Sequence, residues 1–300
     1  MKIVFFGTPY FAVPVLEKIY NGRYEISAVV TAPDKERGRG KKVSFTPVKD
    51  FAVQNNLTVL QPEKLNDEKF VTELRNFNAD LFIIVAFKIL PKSVFTIPPK
   101  GSFNLHGSLL PKYRGAAPIQ WSLINGDKIT GLTTFFLQEK VDTGNMILQK
   151  EIIINDEDNF GSLHDKMSAA GAELVFDTIK LIEEGKVNLK EQDDSLSSPA
   201  PKITKELCEI NWTDPAEKIH NLIRGLSPYP GAFFKQNGKI YKIYKTKINS
   251  DINLQPGKIS QTKKEIFVGC GINSLEILEI QPEGRKRMMS EEFLRGYSLI

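Results

Sequence analysis

Four short apolar runs open the chain: KIVFF (2–6), EISAVVT (25–31), LTVL (57–60) and ADLFIIVAF (79–87). Runs of this length with little polar alternation suit strands covered on both faces, and such strands belong to parallel sheets. Parallel neighbours cannot be joined by a tight turn, so each pair needs a crossover, usually a helix. PVKDFAVQNN (47–56) and DEKFVTELRNF (67–77) read as such helices. Another is predicted between Gly7-Thr8-Pro9 and about Ile19, with Pro14 tolerable only in its first turn. GSFNLH (101–106) reads as a further strand. The expected class is α/β, with an N-terminal doubly wound, mostly parallel, Rossmann-like sheet and right-handed crossovers. Ligands of such sheets bind beyond the carboxyl ends of the strands.

Residues 131–154 read as two strands joined by a loop carrying Asp142-Thr143-Gly144, and 162–184 as a long helix. The polar, unperiodic stretch 187–206 is the expected linker between a domain at 1–186 and a smaller one at 207–300. The second domain opens with a helix for which Asp214 is the expected N-cap, Pro215 the first helical residue and Glu217 the capping-box partner. The rest is β. AFFKQ and KIYKIYKTKI flank an Asn237-Gly238 turn, with Lys and Tyr expected on one strand face; EIFVG and LEILEIQ flank Cys270-Gly271. Several short strands in so little chain predict an OB-like β-barrel.

No apolar run approaches the roughly 18 residues of a membrane span, and the N-terminus reads straight into a strand, so neither an anchor nor a secretory leader is expected. Cys208 and Cys270 lack metal-ligand spacing and are expected as reduced thiols of a cytoplasmic protein that uses no metal. Formal net charge is +4, with 25 basic and 25 acidic residues up to 204 and 15 against 11 beyond it. DKERGRGKK (34–42) adds a local basic cluster, which suits a polyanion such as nucleic acid, or else is a solvated loop.

FNLHGSLLPKYRGAAPIQW (103–121) holds one of three histidines, at the carboxyl end of a predicted strand. Asn104 and His106 stand two apart and so share a strand face. An asparagine amide offers directed donors for a developing oxyanion. Imidazole gives or takes a proton near neutral pH. Asp142 lies on a loop between strands able to run alongside, where its carboxylate favours imidazolium and can relay protons. There is no GxSxG elbow, and neither cysteine neighbours a histidine in sequence, so a covalent acyl-enzyme is not expected. What fits is attack by an amine through a tetrahedral intermediate. On residue types alone a structural histidine and a plain Asp-Thr-Gly turn remain open. Ser108 is expected to hold a turn, Arg114 is open between substrate contact and clamp, and His164 and His220 read as structural or exposed.

NLHGSLLPKYRGAAPIQW followed by VDTGNM resembles the signature of the folate-dependent formyltransferases. FFGTPYFAVPVL, PDKERGRGKK, APKITKE…INW, LSPYPGAF and IQPEGRKRM resemble the branch that acts on methionyl-tRNA, so the resemblance runs over essentially the whole chain. It implies that Asn104 and His106 polarise the formyl group of 10-formyltetrahydrofolate and stabilise the tetrahedral intermediate, while Asp142 assists proton transfer. It implies folate contacts from Phe87, Ile89 and Leu90, and from Ser108, Leu109, Leu110 and Pro111. The first of these loops, AFKILP (86–91), is one residue shorter than in many members. Arg37, Arg39, Lys41 and Lys42 are implied to reach the acceptor end of initiator methionyl-tRNA, with the barrel holding the acceptor arm. A monomer is expected. The rival readings are an amino sugar nucleotide as acceptor, to which the GRGKK loop is superfluous, and a non-catalytic RNA-binding protein. A dinucleotide enzyme is rejected because Gly7-Thr8-Pro9 is not GxGxxG.

Overall fold

The computed structural model describes residues 1–37 and 42–300; Arg39 and Lys41 of the basic loop lie outside them. By contact the chain forms two compact units. One gathers Met1–Gly115, Gly131–Ile152 and His164–Pro199; the other gathers Ala116–Thr130, Ile153–Leu163 and Ala200–Ile300. The 187–206 stretch is thus divided between them, at Pro199 and Ala200. The helices are α1 (Val13–Tyr20), α2 (Pro47–Gln54), α3 (Glu68–Asn76), α4 (Lys92–Phe95), α5 (Pro118–Ile124), α6 (Phe160–Glu183), α7 (Ala216–Leu226) and α8 (Ser290–Leu294).

The first unit contains β1 (Lys2–Gly7), β2 (Glu25–Val30), β3 (Lys35–Arg37), β4 (Lys42–Ser44), β5 (Val59–Leu60), β6 (Leu81–Val85), β7 (Ser102–His106), β8 (Arg114–Gly115), β9 (Ile129–Phe136) and β10 (Met146–Ile153). Seven of these form one sheet in the order β10-β9-β7-β6-β1-β2-β5. Strands β1, β2, β5, β6 and β7 pair in parallel, and β9 runs antiparallel to β7. The sheet is thus the doubly wound, mostly parallel one expected. Ile3–Phe6 and Leu81–Val85 are buried throughout, which is why their sequences carry no polar alternation. The crossover helices start where local chemistry satisfies their free N–H groups. Thr46 accepts from Lys49 N at 3.1 Å before α2, and Asp67 accepts from Lys69 N and Phe70 N at 3.0 and 3.2 Å before α3. Pro14 falls in the first turn of α1, as its missing N–H requires. Helices α4 and α5 were not expected; α5 opens on Pro118, the one start signal its sequence carries.

The boundary at Pro199 and Ala200 falls within β11 (Pro199–Ala200), and the second unit adds β12 (Ala232–Gln236), β13 (Lys239–Asn249), β14 (Ile259–Gln261), β15 (Ile266–Gly269), β16 (Ser274–Pro282) and β17 (Met288–Met289). Its antiparallel sheet runs β12-β13-β16-β15-β14 with β17 on β16, a half-barrel around Ile219, Ile223, Phe234, Ile243 and Ile277. Asn237 and Gly238 form the β12–β13 turn with φ of 50° and 73°, the left-handed pair that a two-residue hairpin demands. Two expectations fail here. Pro215, not Asp214, is the N-cap of α7, with no side-chain cap bond; Asp214 instead accepts from Lys218 Nζ at 2.9 Å. The Lys/Tyr face is also absent. Tyr241 is buried and stacks on Phe234 at 5.6 Å, and register shifts on either side of Lys245 break the alternation.

Cys208 and Cys270 are free and buried, and burial pushes the Cys270 thiol up to about 11. Among the described residues no helix is long and apolar enough to cross a membrane.

Candidate active site

The site is built on β7 in the first unit. Its register pairs Asn104 with Ile84 of β6 and Phe135 of β9, and His106 with Thr133 of β9. Asn104 is half-buried, and its amide has no side-chain hydrogen-bond partner among the described residues. That amide is free to meet a ligand. His106 is 5% exposed, and its Nε2 lies 2.8 Å from the Tyr113 carbonyl oxygen. A carbonyl can only accept, so Nε2 carries the proton and donates. The other ring nitrogen, Nδ1, therefore faces the chemistry. It stands 3.8 Å from Asp142 Oδ2. This is ion-pair range but too long for a direct hydrogen bond.

Each neighbour is held in place. Tyr113 has φ 61° and Asp142 φ 54°, left-handed conformations that cost roughly 1–2 kcal/mol apiece and persist only where surroundings enforce them. Tyr113 N donates to Ser198 Oγ at 2.9 Å, which helps aim the carbonyl at His106. Gly115 N donates at 2.9 Å to Asp142 Oδ2, the same oxygen that stands 3.8 Å from His106 Nδ1. Gln192 Nε2 donates to the Asp142 and Gly144 carbonyls at 2.9 and 2.8 Å, while its Oε1 accepts from Arg114 Nε and Nη2 at 3.1 and 2.8 Å. Arg114 also pairs with Asp194 at 2.7 Å and holds that carboxyl below its ordinary range. Arg114 is therefore a clamp. Neither Gln192 nor Ser198 was legible in a stretch expected to be linker.

The loops expected to meet folate take different forms. After β6 the chain turns at Ala86 with φ 48°; Phe87 packs edge-on against Phe6 at 5.6 Å, Ile89 is 72% exposed and Leu90 is buried. These apolar groups stand at the carboxyl end of a central strand and suit a flat aromatic ligand. On the other loop, the buried Ser108 hydroxyl donates to the Lys112 carbonyl at 2.6 Å. Leu110 is buried with Phe135 and Met146, while Leu109 and Pro111 are half-buried. Gln149 Nε2 and the Thr133 hydroxyl grip this turn through the Leu110 carbonyl, Leu110 N and the Ser108 carbonyl. Arg37 and Lys42 lie on β3 and β4, which pair with each other and not with the main sheet. Among the described residues no group of three or more His, Cys, Asp or Glu is placed to hold a metal ion.

The fold and the sequence match known proteins along both units. The family described as formyl transferase matches residues 1–179, and the formyl transferase C-terminal domain matches 202–298. The methionyl-tRNA formyltransferase of Caldanaerobacter subterraneus subsp. tengcongensis is 47% identical over 302 residues, covering 100% of this chain and 98% of its own. Among solved structures, the N-formyltransferase from Helicobacter canadensis superposes with a TM-score of 0.68 at 20% identity, covering 96% of this chain and 100% of that one. HypX from Aquifex aeolicus gives 0.68 at 16% identity over 99% of this chain, which spans 48% of HypX. With an asparagine, a histidine and an aspartate gathered at the end of β7 and both units matched along their length, the chain belongs to the formyl transferase family.

Proposed function

We propose that the chain transfers the formyl group of 10-formyltetrahydrofolate to the α-amino group of initiator methionyl-tRNA. The observation that carries this reading is the full-length likeness to a methionyl-tRNA formyltransferase, together with a site of matching chemistry. The folate is held by Phe87, Ile89 and Leu90 on one side and by Leu109 and Pro111 on the other, with Ser108 and Leu110 shaping the second wall. It supplies the formyl group as a substrate, and no metal takes part.

The amine attacks the formyl carbon, and negative charge develops on the formyl oxygen. Asn104, whose amide is otherwise uncommitted, donates to that oxygen, and His106 donates to it from a protonated Nδ1. Asp142 accepts the proton that the amine sheds as the new C–N bond forms. The proton then passes to the folate nitrogen as its bond to the formyl carbon breaks. Direct transfer needs no acyl-enzyme, in keeping with two buried thiols, of which Cys270 is held protonated at neutral pH.

The test is formyl transfer from 10-formyltetrahydrofolate with methionyl-tRNA and a 4-amino sugar nucleotide offered separately. Transfer to the tRNA alone is the expected result; transfer to the sugar alone keeps the chemistry and overturns the acceptor. Arg37, Arg39, Lys41 and Lys42 contact the tRNA in this reading. Arg39→Ala is expected to weaken tRNA use and lower the salt slope of binding by about one unit or less, with folate binding unchanged. A loss of folate affinity instead would remove that loop from the tRNA side.

A further inference from the structure

We propose that Gln192 is a positioning residue for the transfer: its carboxamide fixes the backbone of the 142–144 turn and thereby the place of the Asp142 carboxylate against His106. The proposal rests on the reading of Asp142 as the proton carrier. All four hydrogen-bonding positions of this one amide are used. Both N–H groups donate to carbonyls, of Asp142 at 2.9 Å and Gly144 at 2.8 Å. Both lone-pair sites of Oε1 accept from Arg114, at 3.1 and 2.8 Å. A flipped amide would set an oxygen against two carbonyls and an NH₂ against a guanidinium, so the neighbours dictate one orientation. Arg114 is itself pinned by Asp194 at 2.7 Å, so the amide is anchored from behind.

What the amide holds is a left-handed conformation, which costs an aspartate less than most residues but is still disfavoured. Asp142 has φ 54°, and its carboxylate stays 3.8 Å from His106 Nδ1 only while that backbone is kept. Gly115 N holds Oδ2, but a single bond to a side chain does not set the carbonyls on either side of Thr143. Gln192 does, through one bond to each of them. Misplacing a catalytic group by about 1 Å costs on the order of 10²-fold in rate. A positioning role therefore has a measurable signature.

Four enzymes decide it: the wild type, Gln192→Met, Asp142→Asn and the double variant, each assayed with both substrates. Gln192→Met is expected to lower kcat by about 10–100-fold while both KM values stay within about threefold. In the Asp142→Asn background the same substitution is expected to cost less than about twofold, because Gln192 acts through the group already removed. Equal factors in both backgrounds would overturn the proposal while leaving Asp142 in place. A raised KM with unchanged kcat would also overturn it, by moving Gln192 to substrate binding. Full turnover in Asp142→Asn would instead remove the reading beneath it. Should Gln192→Met not fold, Gln192→Glu keeps the length and the acceptor for Arg114 but turns an oxygen onto the two carbonyls. That variant is expected to fold and to lose kcat in the same non-additive way, and wild-type kcat in it would overturn the proposal.

Discussion

His106→Ala is expected to lower turnover by about 10²–10⁴, the range for loss of a general acid–base group. The fall should appear equally in kcat and kcat/KM, since the interaction removed is made in the transition state and not on binding. The imidazole is buried and its Nε2–H is already spent on the Tyr113 carbonyl, so it offers nothing to tRNA affinity, which should stay nearly constant. Alanine also strips that carbonyl of its donor, an unsatisfied buried group worth about 1–3 kcal/mol. A loss of activity through instability must therefore be told apart from a loss of chemistry. His106→Gln does this, because a glutamine amide can reach the Tyr113 carbonyl but cannot offer a charged donor to the formyl oxygen. It is expected to melt near the wild-type temperature and remain as slow as the alanine variant, to within about tenfold. Wild-type turnover in the glutamine variant would show that the formyl oxygen needs no imidazolium donor at this position.

The parts of this site that could be read from sequence are those whose spacing is local. Asn104 and His106 fall on one face because two residues repeat on a strand, and their strand was legible from its apolar neighbours. Asp142 was legible as a loop residue, but its distance to His106 depends on β9 lying against β7, which only the fold supplies. The supports are long-range and carry no pattern. Ser198 meets Tyr113 across 85 positions and Gln192 meets Arg114 across 78. Both sit in a polar stretch whose lack of period reads as linker. The failures in the second unit have the same origin. Tyr241 and Tyr244 follow a β-strand pattern in sequence, but shifts in register decide which face each takes. The Asp214 cap was plausible by residue type and lost to an ion pair with Lys218.

Gly144→Ala is expected to be nearly as damaging as loss of a catalytic residue, although the side chain gained is one methyl group. Gly144 does not occupy the left-handed region that favours glycine, so backbone freedom is not what the position requires. Space is. A Cβ there would lie 1.7 Å from the Phe136 carbonyl oxygen and 2.9 Å from its carbon. Those atoms are the end of β9, and Phe136 is paired with Phe103 of β7 inside the main sheet, so this wall cannot give way cheaply. The 142–144 turn has to move outward instead. Doing so strains the Gln192 contacts to the Asp142 and Gly144 carbonyls and the Gly115 contact to Oδ2, and it carries the carboxylate away from His106. A displacement of about 1 Å is enough for a loss on the order of 10² in kcat, with about 1–3 kcal/mol of stability lost through the forced repacking. Gly238→Ala supplies the contrast. It lies in the second unit, its φ is 73° and a Cβ meets nothing within 4 Å, so only backbone strain of roughly 1–2 kcal/mol is added. The pair separates the two effects: comparable melting temperatures with kcat collapsing in Gly144→Ala alone mean that the turn's position, and not its stability, governs transfer. Wild-type kcat in Gly144→Ala would mean that the carboxylate tolerates displacement, and Asp142 would then lose its role as the proton carrier.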